Sequence, residues 1–237
     1  MNTKIIVGIV VLLIAGGAYF VMSKEKAAPV ADTAPVPVEV PMKTANEKMS
    51  FFITSKNPGQ GGNLGGLAGA DAYCQSLAES AGVTGKSWAA YLSTTDTDPA
   101  KNVHAKDRIG SGPWYNFNGE LIASTSETLH GENFLNKATA LDEQGNQVKG
   151  RGDEPNDHDI LTGSDAFGMA VSTSTSTTCD NWTAATSSSA IVGHHDRIGI
   201  NESAPMKSWV SSHQTRGCSL EQFRSTGGAG LFYCFAK

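Results

Sequence analysis

Residues 67–81 read Leu67-Ala-Gly-Ala-Asp-Ala-Tyr-Cys-Gln-Ser-Leu-Ala-Glu-Ser-Ala81, and their apolar side chains recur at helical spacing. Steps of three and four residues connect Leu67, Ala70, Cys74, Leu77, Ala78 and Ala81. Side chains at that spacing share one face of an α-helix, and Gly82 suits the residue that ends it. The pattern therefore predicts one helix near the start of a folded domain, with Cys74 facing the core.

Strand-like segments lie on both sides of this helix. Short apolar runs at 51–54, 88–93, 190–192 and 230–235 predict strands. Trp88 belongs to an alternating pattern in the second run and is predicted to be core. Between the runs, residues 94–150 and 160–190 are rich in turn residues and show little periodicity. We therefore expect a loop-rich α+β domain with a mixed sheet.

The chain begins with an uncharged apolar run. Residues 5–22 follow Lys4 and precede Lys24 and Lys26, which predicts a membrane anchor within residues 1–22. A cleavable signal peptide is the alternative, with a cleavage site at Gly16-Gly17-Ala18, although the apolar run continues past that point. The anchor would hold the domain at the inner membrane, in the periplasm or outside the cell, whereas cleavage would release it as a secreted protein.

Two further regions follow the apolar run. Residues 23–47 contain four of the nine prolines and no periodicity that could bury a face, so they predict an extended linker. Residues 48–237 contain no second linker and no internal repeat, and about 190 residues suffice for one core. Between residues 51 and 237, 19 Asp or Glu outnumber 13 Lys or Arg. The single predicted domain therefore lacks the basic stripe of a nucleic-acid-binding protein.

All four cysteines, Cys74, Cys179, Cys218 and Cys234, lie in the predicted domain. Because export places them in a compartment where disulfides persist, we expect two disulfide bonds. Four cysteines allow three pairings, and the sequence by itself does not choose among them. Reduced thiols or a metal cluster are the alternative, but no spacing resembles a zinc-binding pair.

Several stretches resemble a bacterial family of exported domains whose layout is similar to endostatin, a divergent branch of the C-type lectin-like fold. The resemblance covers nearly all of residues 50–236. Six stretches carry it: Phe52-Ile-Thr-Ser, Gly62-Asn-Leu-Gly-Gly-Leu-Ala-Gly-Ala-Asp-Ala-Tyr-Cys74, Trp88-Ala-Ala-Tyr-Leu-Ser93, Ile160-Leu-Thr-Gly-Ser-Asp165, Cys179-Asp-Asn-Trp182 and Gly230-Leu-Phe-Tyr-Cys-Phe235. That fold joins its first cysteine to its last and nests the middle pair inside. The resemblance therefore implies Cys74–Cys234 and Cys179–Cys218.

One polar segment, Arg151-Gly-Asp-Glu-Pro-Asn-Asp-His-Asp159, offers oxygen ligands of the kind that calcium prefers. Its Glu154-Pro155-Asn156 is similar to the Glu-Pro-Asn signature with which C-type lectins hold calcium and a sugar. The spacing to Cys179 is longer than in those lectins, and Trp209-Val-Ser lacks the Asn-Asp that normally follows such a Trp. A calcium site and a solvated acidic loop both remain open; the calcium ligands would be Asp153, Glu154, Asn156 and Asp159.

A second polar cluster, Gly193-His-His-Asp-Arg197, offers transition-metal ligands, with His213 or His158 completing a site. Because neighbouring residues of an extended segment point to opposite faces, His194 and His195 are not expected to share a metal. A structural role in fixing loops is favoured over metal binding. The sequence contains no nucleophile elbow, zinc-protease helix, phosphate loop or dinucleotide fingerprint.

These features favour a noncatalytic recognition module over an enzyme. Polar groups combined with an aromatic ring suit sugar binding, which places the predicted ligand surface at Glu154, Asn156, Asp157 and Trp182, with Trp114 as a second exposed ring. The expected ligand is a glycan or another polymer of the cell envelope or matrix. The alternative is a structural or protein-interaction subunit of an envelope assembly. A metal-dependent hydrolase centred on His194, His195 and Asp196 ranks last.

Overall fold

The computed structural model describes residues 10–12, 19–21, 43–173 and 175–237. In the N-terminal unit, strand β1 (Val10–Leu12) pairs antiparallel with β2 (Tyr19–Val21). Most of the predicted anchor, and the predicted linker up to residue 42, lie outside the described residues, so both stay predictions. No helix in the described parts of the chain is long and apolar enough to cross a membrane.

The second unit contains eight strands and four helices among the described residues from 43 onward. The strands are β3 (Phe51–Ile53), β4 (Trp88–Ala90), β5 (Trp114–Tyr115), β6 (Leu121–Ala123), β7 (Asp159–Leu161), β8 (Ile191–His194), β9 (His213–Gln214) and β10 (Gly228–Ala236). The helices are α1 (Gly66–Ser80), α2 (Ser126–His130), α3 (Cys179–Trp182) and α4 (Leu220–Arg224), and three short 3-10 turns add to them at Pro99–Lys101, Ala105–Asp107 and Pro205–Lys207. Long loops connect these elements, so the predicted loop-rich α+β class is confirmed.

Six strands form a mixed sheet around β10. The strand order is β3-β10-β7-β8-β9, and β4 also pairs with β10. Only the β10–β7 pair is parallel among the described pairings of this sheet; the others are antiparallel. Strands β5 and β6 form a separate two-stranded sheet. Strand β10 pairs with β3 along one edge and with β7 and β4 along the other, so it is the central strand of this sheet.

Strand β10 is buried on both faces, and its alternating side chains enter two cores. Phe232 and Cys234 belong to a core that includes α1, whereas Tyr233 and Phe235 belong to a second core. Neighbouring residues of a strand point to opposite faces, which is why one strand serves both cores. The second core contains a group of aromatic rings: the ring of Trp209, for example, lies 5.2 Å from that of Tyr233 and 5.0 Å from that of Tyr91.

Helix α1 covers one face of β10 in the predicted orientation. Ala70, Cys74 and Leu77 are buried, and the helix ends before Gly82, whose φ of 82° favours glycine. Asp71 accepts two hydrogen bonds from Arg108, at 2.9 and 2.8 Å, and one from the Ala90 amide at 2.8 Å. These contacts fix the helix to β4.

Two disulfides join Cys74 to Cys234 and Cys179 to Cys218, as the resemblance implies. The Cys74–Cys234 disulfide links α1 to β10. Cys74 lies on the buried face of the helix and Cys234 on the strand face that meets it, so both side chains enter the same core. The second links α3 to the turn before α4. No free cysteine remains among the described residues.

We expect loss of the outer disulfide to cost more stability than loss of the inner one. Cys74 and Cys234 are separated by 160 residues, and Cys179 and Cys218 by 39. The chain-entropy model gives about 5 and about 4 kcal/mol for these loops. Urea unfolding of the Cys74→Ala/Cys234→Ala and Cys179→Ala/Cys218→Ala variants measures the difference. A larger loss for the inner pair would show that local contacts outweigh loop closure.

Candidate functional site

A group of polar side chains lies on one face of the sheet where β7, β8 and β9 run side by side. Asp159 pairs directly across from His194, and His213 pairs across from Val192. Val192 and His194 are two residues apart on one strand and therefore point to the same face. Strand register thus brings Asp159, His194 and His213 together from distant parts of the sequence.

His158 completes this cluster. Its ring stacks on that of His194, with centroids 4.1 Å apart and planes inclined by 12°. The Asp159 Oδ1 atom lies 3.3 Å from Nε2 of His158, 3.3 Å from Nε2 of His194 and 3.4 Å from Nε2 of His213. Of the residues that the structure describes, His158, Asp159 and His194 form the one group of three metal-ligating types whose ligand atoms lie within 4.8 Å of one another.

The cluster is almost closed to solvent. The side chains of His158, Asp159 and His194 are 1–2 % exposed, and that of His213 is 29 % exposed. Both carboxylate oxygens of Asp159 and the His194 Nε2 atom are buried without a hydrogen-bond partner. In the three short contacts to Asp159, nitrogen and oxygen atoms therefore lie close together, but their geometry is not that of a hydrogen bond.

The second nitrogen of each imidazole in the cluster faces an acceptor. Nδ1 of His158 lies 3.3 Å from an Asp196 carboxylate oxygen, Nδ1 of His194 lies 2.8 Å from the Met206 carbonyl oxygen, and Nδ1 of His213 lies 3.2 Å from the Gln214 carbonyl oxygen. A carbonyl or ionised carboxylate oxygen only accepts, so these contacts place the proton on Nδ1. Each Nε2 is then a lone-pair donor directed at the cluster.

Asp159 and His213 shift each other's pKa. Burial by itself raises the pKa of Asp159, but the neighbouring His194 and His213 outweigh burial and lower it. The contact with Asp159 raises the pKa of His213, and burial opposes this. Asp159 is therefore held as a carboxylate inside the domain.

His195 and Asp196 do not join His194 in one ligand set. His195 Nε2 faces the Lys149 carbonyl oxygen at 3.1 Å, and burial lowers its pKa to about 4. The Asp196 carboxylate faces Nδ1 of His158. Burial by itself raises the pKa of Asp196, but the contact with His158 and hydrogen bonds from backbone amides outweigh burial and lower it. The imidazole of His194, the last residue of β8, and that of His195, which follows the strand, thus face different partners. His194 is joined by His158 and His213, the two residues that the sequence offers to complete a site, and by Asp159, which the sequence groups with the calcium ligands.

An open polar depression of about 470 Å³ lies beside this cluster, lined by Glu154, Pro155, Asn156, Arg224, Ser225, Thr226 and Gly227. Two of the predicted ligand residues, Glu154 and Asn156, therefore line one surface. Asp157 adjoins it through an ion pair with Arg224 at 3.5 Å, and burial raises the pKa of Asp157 while Arg224 lowers it. Gly227, with φ of 109°, lies close to Asn156 and to His158, where a Cβ would be 2.6 and 3.1 Å from their nitrogens.

The predicted calcium ligands are divided between different surroundings. The Asp153 carboxylate contacts Lys137 Nζ at 2.6 Å and accepts from the Gly150 amide at 2.8 Å. Asp159 faces imidazole nitrogens, which calcium does not favour. Glu154 and Asn156 line the depression. The calcium site stays a prediction, and no functional step is assigned to calcium.

Trp182 is completely buried, so it cannot offer a ring face to a ligand from solvent. Its Nε1 donates to the Ser93 carbonyl at 2.8 Å. All four residues of α3 have positive φ, between 47° and 66°, so α3 is a left-handed turn that directs the indole inward. Trp114 is also buried, at 1 % exposure. Both expected surface tryptophans are therefore core residues, as is Trp88, for which the core prediction is confirmed.

We expect Trp182→Ala to lose stability rather than a surface contact. Truncating a fully buried Trp costs about 3–5 kcal/mol because it leaves a cavity. The matched control is Phe167→Ala, since Phe167 is 70 % exposed and its removal should cost less than about 0.5 kcal/mol. Urea unfolding measures both, and acrylamide should quench native tryptophan emission only weakly. Strong native quenching would contradict the burial of all four tryptophans.

The chain matches no protein-family model, and no curated protein aligns with it significantly. Its functional assignment therefore depends on the geometry of the depression and of the histidine–aspartate cluster.

Proposed function

We propose that this chain is a noncatalytic, extracytoplasmic recognition module with a C-type lectin-like fold, and that it binds a glycan or another envelope or matrix polymer. The observation that carries the proposal is that Glu154 and Asn156 line one open polar depression together with Arg224. The nested disulfides and the resemblance of residues 50–236 to the endostatin-like branch support the lectin-like fold.

The depression offers the chemistry that a hydroxylated polymer requires. Glu154 supplies carboxylate acceptors, Asn156 supplies an amide with donor and acceptor, and Arg224 supplies guanidinium donors. Arg224 is 56 % exposed, so its free donors can reach a ligand. An acidic sugar would pair with Arg224, and neutral hydroxyl groups would pair with the carboxylate and the amide.

The position of this surface suits recognition rather than catalysis. The segment from Glu154 to Asp157 leads through His158 into β7, and Ser225–Gly227 lead into β10, so two paired strands hold the two sides of the depression. Polar groups on loops that a rigid scaffold positions are typical of binding sites. In this proposal the predicted N-terminal anchor tethers the domain at the membrane.

A protein-interaction role is the second candidate. Among the residues whose burial the structure describes, four large apolar side chains are exposed, namely Phe134 at 59 %, Phe167 at 70 %, Ile198 at 45 % and Ile200 at 75 %. Two of them, Ile198 and Ile200, lie in one loop after β8. Such side chains suit a protein partner better than a polar sugar.

We expect substitutions in the depression to weaken polymer binding while the domain stays folded. Glu154→Gln removes a charge without changing shape, Asn156→Ala removes the amide, and Arg224→Gln removes the cation. Loss of a hydrogen bond to a ligand costs about 0.5–1.5 kcal/mol for neutral partners and about 1.5–3 kcal/mol for charged ones. Binding should therefore fall roughly 2- to 13-fold for Asn156→Ala and roughly 13- to 160-fold for Glu154→Gln and Arg224→Gln. A glycan and peptidoglycan array, with and without calcium, identifies the ligand on which titrations measure this fall.

The matched control is Glu202→Gln, because Glu202 is an exposed carboxylate, 90 % accessible, whose contact is with Lys207. This variant should bind as the wild type does. If all three depression variants also bind a proven ligand as the wild type does, the depression is not the binding site. Binding to an envelope protein but to no glycan would favour the second candidate.

A further inference from the structure

Four lone-pair-bearing atoms converge in the interior of the sheet with no donor between them. The contacts of Nδ1 with Asp196, Met206 and Gln214 leave Nε2 of His158, His194 and His213 as acceptors. The fourth atom is Oδ1 of Asp159, an ionised carboxylate. Each Nε2 lies 3.3–3.4 Å from that carboxylate oxygen, and two acceptors this close repel unless a cation lies between them.

The distances fit a transition-metal ion. A tetrahedral zinc ion with bonds of about 2.0–2.2 Å places any two of its ligand atoms roughly 3.3–3.6 Å apart. The three distances from Asp159 Oδ1 to the imidazoles are 3.3, 3.3 and 3.4 Å. Three imidazoles and one carboxylate are ligands that suit zinc and exclude calcium, which takes oxygen ligands.

The surroundings also match those of a metal centre. Metal-bound histidines typically donate their other N–H to a carboxylate or a carbonyl oxygen, which fixes the ring and its tautomer. His158 and His194 do so toward Asp196 and Met206. The backbone at Trp209 passes close to Gly193 of β8. A Cβ on Gly193 would lie 1.9 Å from the Trp209 carbonyl oxygen, so only glycine allows this approach. This approach brings the Met206 carbonyl within reach of His194.

We infer that His158, Asp159 and His194 bind one divalent transition-metal ion of the zinc class, and that His213 is its fourth ligand at the solvent side. The 29 % exposure of the His213 side chain gives the ion a route of entry. With four protein ligands and three of them closed to solvent, the centre is of the structural kind, which stabilises a fold. It joins β7, β8 and β9 in a part of the sheet that neither disulfide reaches.

An ion pair between a protonated His213 and Asp159 is the competing explanation. It accounts for one of the three contacts to Asp159 Oδ1. It leaves Nε2 of His158 and of His194 facing the same carboxylate without a hydrogen bond. A bound metal ion satisfies the ligand atoms of His158, Asp159 and His194 together, and His213, with Nε2 3.4 Å from Asp159 Oδ1, is the fourth ligand of the proposal.

The experiment is a metal analysis of the full chain, purified without a histidine tag. We expect mass spectrometry to find one zinc ion per chain after dialysis. Chelation should lower the melting temperature, and zinc should restore it. Competition with a chromophoric chelator should show at least a tenfold weaker affinity for Asp159→Asn and for His194→Ala. Cobalt(II) in place of zinc should give the intense visible bands of a tetrahedral site.

The matched control is His195→Gln, which removes the imidazole next to His194 that faces the Lys149 carbonyl oxygen instead of the cluster, and which should keep one zinc per chain. Absence of stoichiometric zinc in the wild type, with no thermal shift on adding zinc, would overturn the inference. So would unchanged affinity in folded Asp159→Asn. If that variant does not fold, His213→Gln decides, since this side chain is partly exposed: unchanged zinc affinity together with an unchanged cobalt spectrum would overturn the four-ligand centre.

Discussion

Burial of β10 on both faces is the constraint on which the rest of the domain depends. A strand with cores on both sides must send alternate side chains in opposite directions, and β10 does so with Phe232 and Cys234 on one face and Tyr233 and Phe235 on the other. Cys234 can therefore reach Cys74, because the face of β10 that carries Phe232 and Cys234 is the one that meets α1. The parallel pairing of β10 with β7 also sets the register of β8 and β9, and therefore the place where Asp159 and the histidines meet.

Local patterns in the sequence predict the elements whose side chains repeat. The three- and four-residue spacing around Cys74 predicts α1, and the apolar run before Cys234 predicts β10, because both periods follow from backbone geometry alone. The disulfide pairing needed the resemblance, since four cysteines allow three pairings. Strand β7 was not predicted: Asp159–Leu161 is only three residues long and stands in a region with little periodicity.

The histidine–aspartate cluster shows which part of a site escapes sequence reasoning. Alternation separated His194 from His195, a local inference. The pairing of Asp159 with His194 is a property of sheet register, which depends on contacts between residues far apart in the chain. Asp159 was therefore grouped with its sequence neighbours Asp153 and Glu154. Trp182 was misplaced for a related reason: beside Asp180 and Asn181 it looks like a surface residue, but four consecutive left-handed residues direct it into the core.

One short segment connects the two proposed sites of this domain. Asn156 lines the depression, Asp157 pairs with Arg224 at its edge, and His158 and Asp159 are buried in the cluster. Only Asp157 therefore separates Asn156 from an imidazole with 2 % exposure, and Gly227 lies close to both. Each residue of this segment has only two backbone dihedral angles that rotate easily. Holding His158 and Asp159 in place therefore restricts the positions that Asn156 can reach. A centre that immobilises the cluster would thus preorganise the depression and reduce the conformational entropy that binding must overcome.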